Sequence, residues 1–164
     1  MAGRSLGVLG RNAVDTAFTV HWSLIDGTSL SFHHLGVAVA SLAKGIPVYE
    51  SLFGYQLVSG PFDDPIQNVS VCFLGRDNPG DISIELIAPL GEESPVHRTL
   101  TKGGNSAYHA CYQAPDLDRT IDHFVSKGCV LISKPVPAVA FAGRRIAWLI
   151  LPTRQIIELV EAPV

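Results

Sequence analysis

The feature that most constrains this chain is that it repeats itself. The segment "HHLGVAVASLAKGI", starting at His33, lies over "YHACYQAPDLDRTI", starting at Tyr108. That alignment sets His34 on His109, Leu42 on Leu117 and Ile46 on Ile121. Further on, "SIELIAPL" and "IIELVEAP" set Glu85 on Glu158. The histidines lie 75 positions apart and the glutamates 73, so the spacing is held across a whole supersecondary unit. A unit of that size cannot bury its own sheet well, and the repeat therefore predicts two halves packed around shared apolar surface.

Each half reads as strand, helix and three further strands. In the first, "SFHHLGVAV" is β-branched and apolar, and "SLAKGIPVYESLFG" carries Leu42, Ile46, Tyr49 and Phe53 at helical spacing before Gly54. Pro47 shifts the expected start of that helix toward itself. Strands are predicted at "YQLVSG", "NVSVCFLG" and "DISIELIAP", with "PFDDPIQ" as a surface loop. Ser94-Pro95 opens a short connecting helix that runs toward Gly103-Gly104. In the second half "SAYHACYQA" is a strand and "DLDRTIDHFVSKG" a helix with Leu117, Ile121 and Phe124 on its apolar stripe. Strands follow at "CVLIS", near Ala140, at "RIAWLIL" and at "IIELVEA". The fold class expected is α+β: two βαβββ modules forming a cupped mixed sheet, with an N-terminal extension. The expected boundaries are 1–30 for the extension and 31–164 for a single domain, made of modules 31–91 and 107–164 and a connector 92–106. Within the extension, "AFTVHWSLIDGT" reads either as an additional strand turning at Asp26-Gly27 or as a disordered leader.

Composition narrows the function classes. Hydrophobic residues make up 47% of the chain and charged residues 16%, which is the balance of a folded domain. A net charge of -3 gives no electrostatic reason to expect nucleic acid or an acidic membrane surface as partner. No apolar run reaches the length of a membrane span, and "MAGRSLGVLGRNAVD" lacks the continuous apolar stretch of a signal peptide. Cys72, Cys111 and Cys129 are odd in number and form no CxxC, so a reduced, cytoplasmic protein is expected.

Strand alternation then places His34 with Gly36 and Ala38, Ser83 with Glu85 and Ile87, His109 with Cys111 and Gln113, and Ile156 with Glu158 and Val160. If both halves curve toward one cleft, two imidazoles and two carboxylates converge. That set suits one divalent metal ion, because neutral imidazole supplies nitrogen, carboxylate supplies oxygen, and buried charge is compensated. Four such ligands leave positions open on a six-coordinate ion such as Co, Ni, Mn or Mg, and Zn fits in expanded coordination. Taken singly, a strand histidine is more often a hydrogen-bonded core residue, and a strand glutamate more often faces solvent, as Glu161 is expected to do. Of the neighbours His33 and His34, alternation lets one face the cleft, and the repeat selects His34. His21, His97 and His123 have no repeat partner and read as surface or structural residues; Cys72 and Cys129 read as core. Arg144 and Arg145 follow Gly143 and read either as cleft-rim groups for a substrate carboxylate or phosphate, or as two solvated turn residues.

From about Phe32 to Ala162 the chain resembles the vicinal oxygen chelate (glyoxalase/bleomycin resistance/dioxygenase) superfamily, and within it the methylmalonyl-CoA epimerases. "HHLGVAV", "IELIAPLGEESPV", "YHACYQAPDLDRTI" and "IIELVE" carry the resemblance, with "APLGEESPV" the most epimerase-like. It implies paired βαβββ modules cupped around a divalent ion held by His34, Glu85, His109 and Glu158. It also implies proton abstraction next to a carbonyl, with Glu158 both ligand and general base, and a homodimer. The implied substrate is an acyl thioester or a dicarbonyl compound. Some relatives place a second acid where this chain has Val71, and "LILPTRQIIELV" is shorter before the last strand than the family pattern. Rival readings on the same fold are a glyoxalase I-like lyase, an Fe(II) dioxygenase, and a small-molecule-binding or resistance protein. A dioxygenase site would use two histidines and one carboxylate and leave Glu85 without a role.

Overall fold

Every buried strand of this protein separates its side chains into two sets, one under a helix and one lining a cup. The computed structural model describes residues 22–23, 29–78, 80–104 and 106–163. In chain order the elements are β1 (Trp22–Ser23), β2 (Ser29–Ala38), α1 (Leu42–Phe53), β3 (Gln56–Asp64), β4 (Val69–Gly75) and β5 (Ser83–Pro89). There follow α2 (Pro95–Gly103), β6 (Ser106–Ala114), α3 (Leu117–Ser126), β7 (Val130–Leu131), β8 (Val136–Pro137), a 3-10 turn (Val139–Phe141), β9 (Arg145–Ile150) and β10 (Ile156–Glu161).

The strands join in the order β3-β4-β5-β2-β6-β10-β9-β7, with β1 on β2 and β8 on β9. β2 runs parallel to β5, and β6 parallel to β10, as the crossover helices require. The two halves meet where β2 pairs antiparallel with β6. The first strands of the two repeats are thus neighbours at the centre of one mixed sheet, in the glyoxalase-like arrangement of paired modules that the resemblance implies.

Alternation does the sorting. Ile84, Leu86 and Ala88 of β5 pack with Cys72, Leu74 and Val37 beneath Leu42 of α1. Ile157 and Leu159 of β10 pack with Ala147 and Leu149 beneath Leu117 and Ile121 of α3. The intervening residues Val71, Phe73, Ile87, Cys111, Ile146 and Val160 lie in two further clusters on the opposite face, with Val96 of α2 and Phe141. Asp116 caps α3 by accepting a hydrogen bond from the Arg119 amide, an interaction typically worth about 1 kcal/mol.

Several local expectations are corrected. Helix α1 starts at Leu42, not near Pro47, because the Gly45 amide bonds back to the Ser41 carbonyl and closes a turn ahead of the proline. Phe53 is more than half exposed, so the apolar stripe of α1 ends at Tyr49. The segment "PFDD" is strand, not loop: β3 continues to Asp64 through register shifts between Leu57 and Phe62. Near Ala140 the chain makes the 3-10 turn instead of a strand, with β8 just before it. Trp22 and Ser23 pair with Leu30 and Ser29, which supplies the added strand, while Asp26-Gly27 and His21 lie outside the described residues. His97 and His123 lie on α2 and α3. All three cysteines are buried and unpaired by disulfides. No helix among the described residues is long and apolar enough to cross a membrane.

Candidate metal centre

The register of the four central strands builds the site in two rows. Across one row, His34 of β2 stands opposite Cys111 of β6, which stands opposite Glu158 of β10. Across the next, Glu85 of β5 stands opposite Gly36 of β2, which stands opposite His109 of β6. Each row therefore holds one histidine and one glutamate separated by a small residue. Gly36 and Cys111 are themselves repeat equivalents, each two positions after its histidine. Their small size lets the four long side chains lean over them and meet.

They do meet. His34, Glu85, His109 and Glu158 are 0%, 5%, 3% and 3% exposed, and one ligand atom from each lies within 4.8 Å of all the others. The Nε2 atoms of His34 and His109 are 3.0 Å apart. Oε2 of Glu85 is 3.2 Å from His34 Nε2 and 3.5 Å from His109 Nε2. Oε2 of Glu158 is 3.4 and 3.5 Å from the same two nitrogens. Ligands bound at about 2.1 Å and at right angles lie about 3.0 Å apart, and tetrahedral ones about 3.4 Å apart, so these spacings match the edges of a coordination polyhedron for a single ion. Glu158 Oε2 has no well-formed hydrogen bond despite being buried, which is the state of an acceptor placed for a cation. The donor set thus fits a divalent metal, as two nitrogen and two oxygen ligands.

Electrostatics agree. Burial lowers the His34 pKa to about 4, against the opposing pull of Glu158, so its imidazole is neutral and offers a lone pair at neutral pH. Burial, then the Glu158 charge, raises Glu85 to about 8. For Glu158, burial is outweighed by hydrogen bonding and charge from His109, by His34 and by Cys111, and its pKa falls. Without a cation the buried pair holds its two carboxylates apart in charge, one protonated and one ionised.

Aromatic rings fix the imidazoles. His109 meets Trp148 edge to face with ring centroids 4.8 Å apart, and His34 lies against Phe73 at 5.3 Å and stacks on Phe141 at 6.2 Å. Above the cluster is a cavity of ≈ 250 Å³ lined by Glu85 and Glu158 and by Val71, Ile87, Phe141 and Trp148 among others. Two hydrogen bonds between the halves close its rim: Trp148 Nε1 donates to Gln67 Oε1, and the Val139 amide donates to Asp64 Oδ2.

Three expectations change here. His33 does not point away from His34. Pairing with β6 skips from Phe32 to His34, and at this bulge His33 Nδ1 comes 2.9 Å from His34 Nδ1. Arg144 and Arg145 do not line the cavity. Arg145 forks onto Glu161 and Asp118, and Arg144 donates to the Glu161 carbonyl over the Phe141 ring. Glu161 accordingly faces Arg145 instead of open solvent. Strand alternation put Gly36 and Cys111 on the face of the histidines but gave them no part in the site. Their signal was their shared place in the repeat, directly beneath the ligand pairs.

Comparison with known proteins places this geometry in a family. The glyoxalase/bleomycin resistance protein/dioxygenase superfamily matches residues 33–148. An ethylmalonyl-CoA/methylmalonyl-CoA epimerase of Cereibacter sphaeroides is 29% identical over 118 residues, 71% of this chain and 85% of that one. A mitochondrial methylmalonyl-CoA epimerase of Dictyostelium discoideum is 26% identical over 118 residues, 71% of this chain and 68% of its own. The crystal structure of methylmalonyl-CoA epimerase from Mycobacterium tuberculosis superposes with a TM-score of 0.70 at 29% identity, covering 80% of this chain and 88% of that one. The chain belongs to the glyoxalase/bleomycin resistance protein/dioxygenase superfamily.

Proposed function

We propose that this protein is a metal-dependent epimerase that removes and returns a proton on the carbon next to an acyl thioester carbonyl, as its methylmalonyl-CoA epimerase relatives are named for doing. The observation that carries this reading is the buried Glu158 carboxylate. Against burial, His109, His34 and Cys111 hold its pKa down, its Oε2 has no well-formed hydrogen bond, and it lines an apolar cavity in which carbon acids can be bound dry. His34, Glu85, His109 and Glu158 would hold one divalent ion, Co, Ni, Mn, Mg or Zn. When bound, that ion supplies Lewis-acid stabilisation to negative charge developing on the substrate oxygens.

The chain's own residues do the rest. Glu158 takes the α-proton as general base, and the electron pair of the broken C–H bond moves onto the carbonyl oxygen. Val71 makes the facing wall apolar, and Asp64 is committed to the Ile66, Gln67 and Val139 amides. Glu85, which lines the cavity from the other half of the cup, is therefore the carboxyl assigned to exchange a proton with the opposite face. Phe141 and Trp148 exclude water from the carbanion. Arg144 and Arg145 stay with Glu161 and Asp118 in this reading, and substrate phosphates bind elsewhere.

The reading includes a cytoplasmic homodimer of the single domain 31–164. Exposed Leu52 and Phe53 of α1 and Val58 of β3 supply apolar surface for such an interface, and light scattering of the purified protein tests it. A net charge of -3 supports the reading that nucleic acid is not a partner. Activity is tested by incubating metal-loaded protein with methylmalonyl-CoA in deuterated water. Metal-dependent deuterium incorporation with inversion at the α-carbon is expected; no incorporation with any of the five ions would contradict the epimerase assignment.

A further inference from the structure

The bulge that brings His33 to the site is a departure from regular pairing, and its position is specific. Phe32 stands opposite Tyr112 and His34 opposite Cys111, so His33 is the one residue of β2 left over. A regular strand would turn its side chain to the helix-covered face. Instead the half-buried His33 ring lies edge to face with His34 at 5.1 Å, with Phe141 at 5.4 Å and with Phe73 at 6.4 Å. Its Nδ1 is 2.9 Å from His34 Nδ1.

Two imidazole nitrogens at that distance share one proton, so one donates and the other accepts. The Nε2 atom of His34 faces Glu85, Glu158 and His109, the side on which an ion would bind. Coordination there needs the Nε2 lone pair, which leaves the single proton of neutral His34 on Nδ1. His33 Nδ1 is then the acceptor, and His33 carries its own proton on Nε2. His109 has no equivalent, since its Nδ1 has no hydrogen-bond partner among the described residues. The centre is asymmetric despite the repeat.

We propose that His33 is a positioning residue: by accepting the His34 Nδ1 proton it holds His34 in the tautomer and orientation that bind metal. This rests on reading the His34, Glu85, His109 and Glu158 cluster as a metal centre. A ligand histidine's outer partner commonly contributes 10–100-fold to metal affinity, and here that partner is an imidazole delivered by a bulge.

The test is a competition titration of Co(II) between a chelating indicator and the wild-type protein, His33→Phe and His33→Asn. Phenylalanine keeps a ring against Phe141 but cannot accept the proton; the asparagine carbonyl can. His33→Phe is expected to weaken Co(II) binding by about 10–100-fold, with His33→Asn restoring most of it. In the Zn-loaded protein the His34 Nδ1 proton should be protected from solvent exchange in wild type and His33→Asn, and lose protection in His33→Phe. Should Phe prevent folding, His33→Leu serves in its place. If wild type binds Co(II) and His33→Phe binds it equally well, the positioning role is wrong while the metal centre stands. If wild type binds no divalent ion, the metal reading itself fails.

Discussion

Gly36 leaves the space that the His109 imidazole fills: a Cβ at position 36 would lie 2.1 Å from Cε1, 2.4 Å from Nδ1 and 2.6 Å from Nε2 of His109. Backbone of β2 and side chain of β6 are thus in direct contact across the junction of the two halves. Gly36→Ala must push His109 off its position. It is expected to cost about 1–3 kcal/mol of stability by overpacking and to weaken metal binding together. Gly91→Ala, where an added Cβ meets nothing within 4 Å, is the control. Chemical denaturation and Co(II) titration of both variants check this; equal metal affinity in Gly36→Ala and wild type would show that His109 is not held by this contact.

The Glu85 and His34 contributions to stability of the metal-free protein should oppose each other between about pH 4.5 and 6.5, and above that range the Glu85 effect alone should make stability fall. Glu85 is raised from 4.5 to about 8, so the folded protein holds a proton that the unfolded chain has released. Its contribution is fully present below about pH 4.5 and is lost as pH rises toward 8. His34 is lowered from 6.5 to about 4, so its contribution is present above pH 6.5 and lost as pH falls toward 4. Thermal unfolding in the presence of a chelator should show a maximum between these limits. Glu85→Gln, which cannot ionise, should flatten the alkaline fall and raise the melting temperature at pH 8.

The two carboxylates should separate in isotope experiments. Glu158→Gln is expected to lower α-proton exchange by about 10²–10⁴-fold, the usual worth of a positioned base. Glu85→Gln should retain part of that exchange and lose inversion. Both rates are read by NMR and chiral analysis of the thioester product, with metal occupancy measured on each sample. Equal loss of exchange in both variants at equal occupancy would contradict the division of labour.

Arg145→Met should leave the KM for a thioester substrate unchanged, because the guanidinium is occupied by Glu161 and Asp118 outside the cavity. A large rise in KM would return this residue to the substrate rim.

The fold and the four clustered side chains were legible because both are written in periodicity. Alternation put Glu85 and Glu158 on the face opposite Leu86 and Leu159, and the repeat chose His34 over its neighbour. What was illegible depends on partners distant in sequence. Whether His33 turns inward is decided by how β2 pairs with β6, and nothing local to "FHHL" signals a bulge. Arg145 reads as a free cation until the fold brings Asp118 and Glu161 to it. The segment after Pro137 looks extended, yet the Asp64 carboxylate, 75 positions away, accepts the Val139 amide at the start of a 3-10 turn.

If the four buried side chains form one divalent metal site, titration of Co(II) into metal-free protein, followed by visible absorption, should report it. One equivalent per chain is predicted, with the weak bands of a nitrogen–oxygen site, no strong thiolate band from Cys111, and loss of binding in His34→Ala, Glu85→Ala, His109→Ala and Glu158→Ala. Absence of stoichiometric binding, or a thiolate band that survives loss of Glu85 and Glu158, would contradict it.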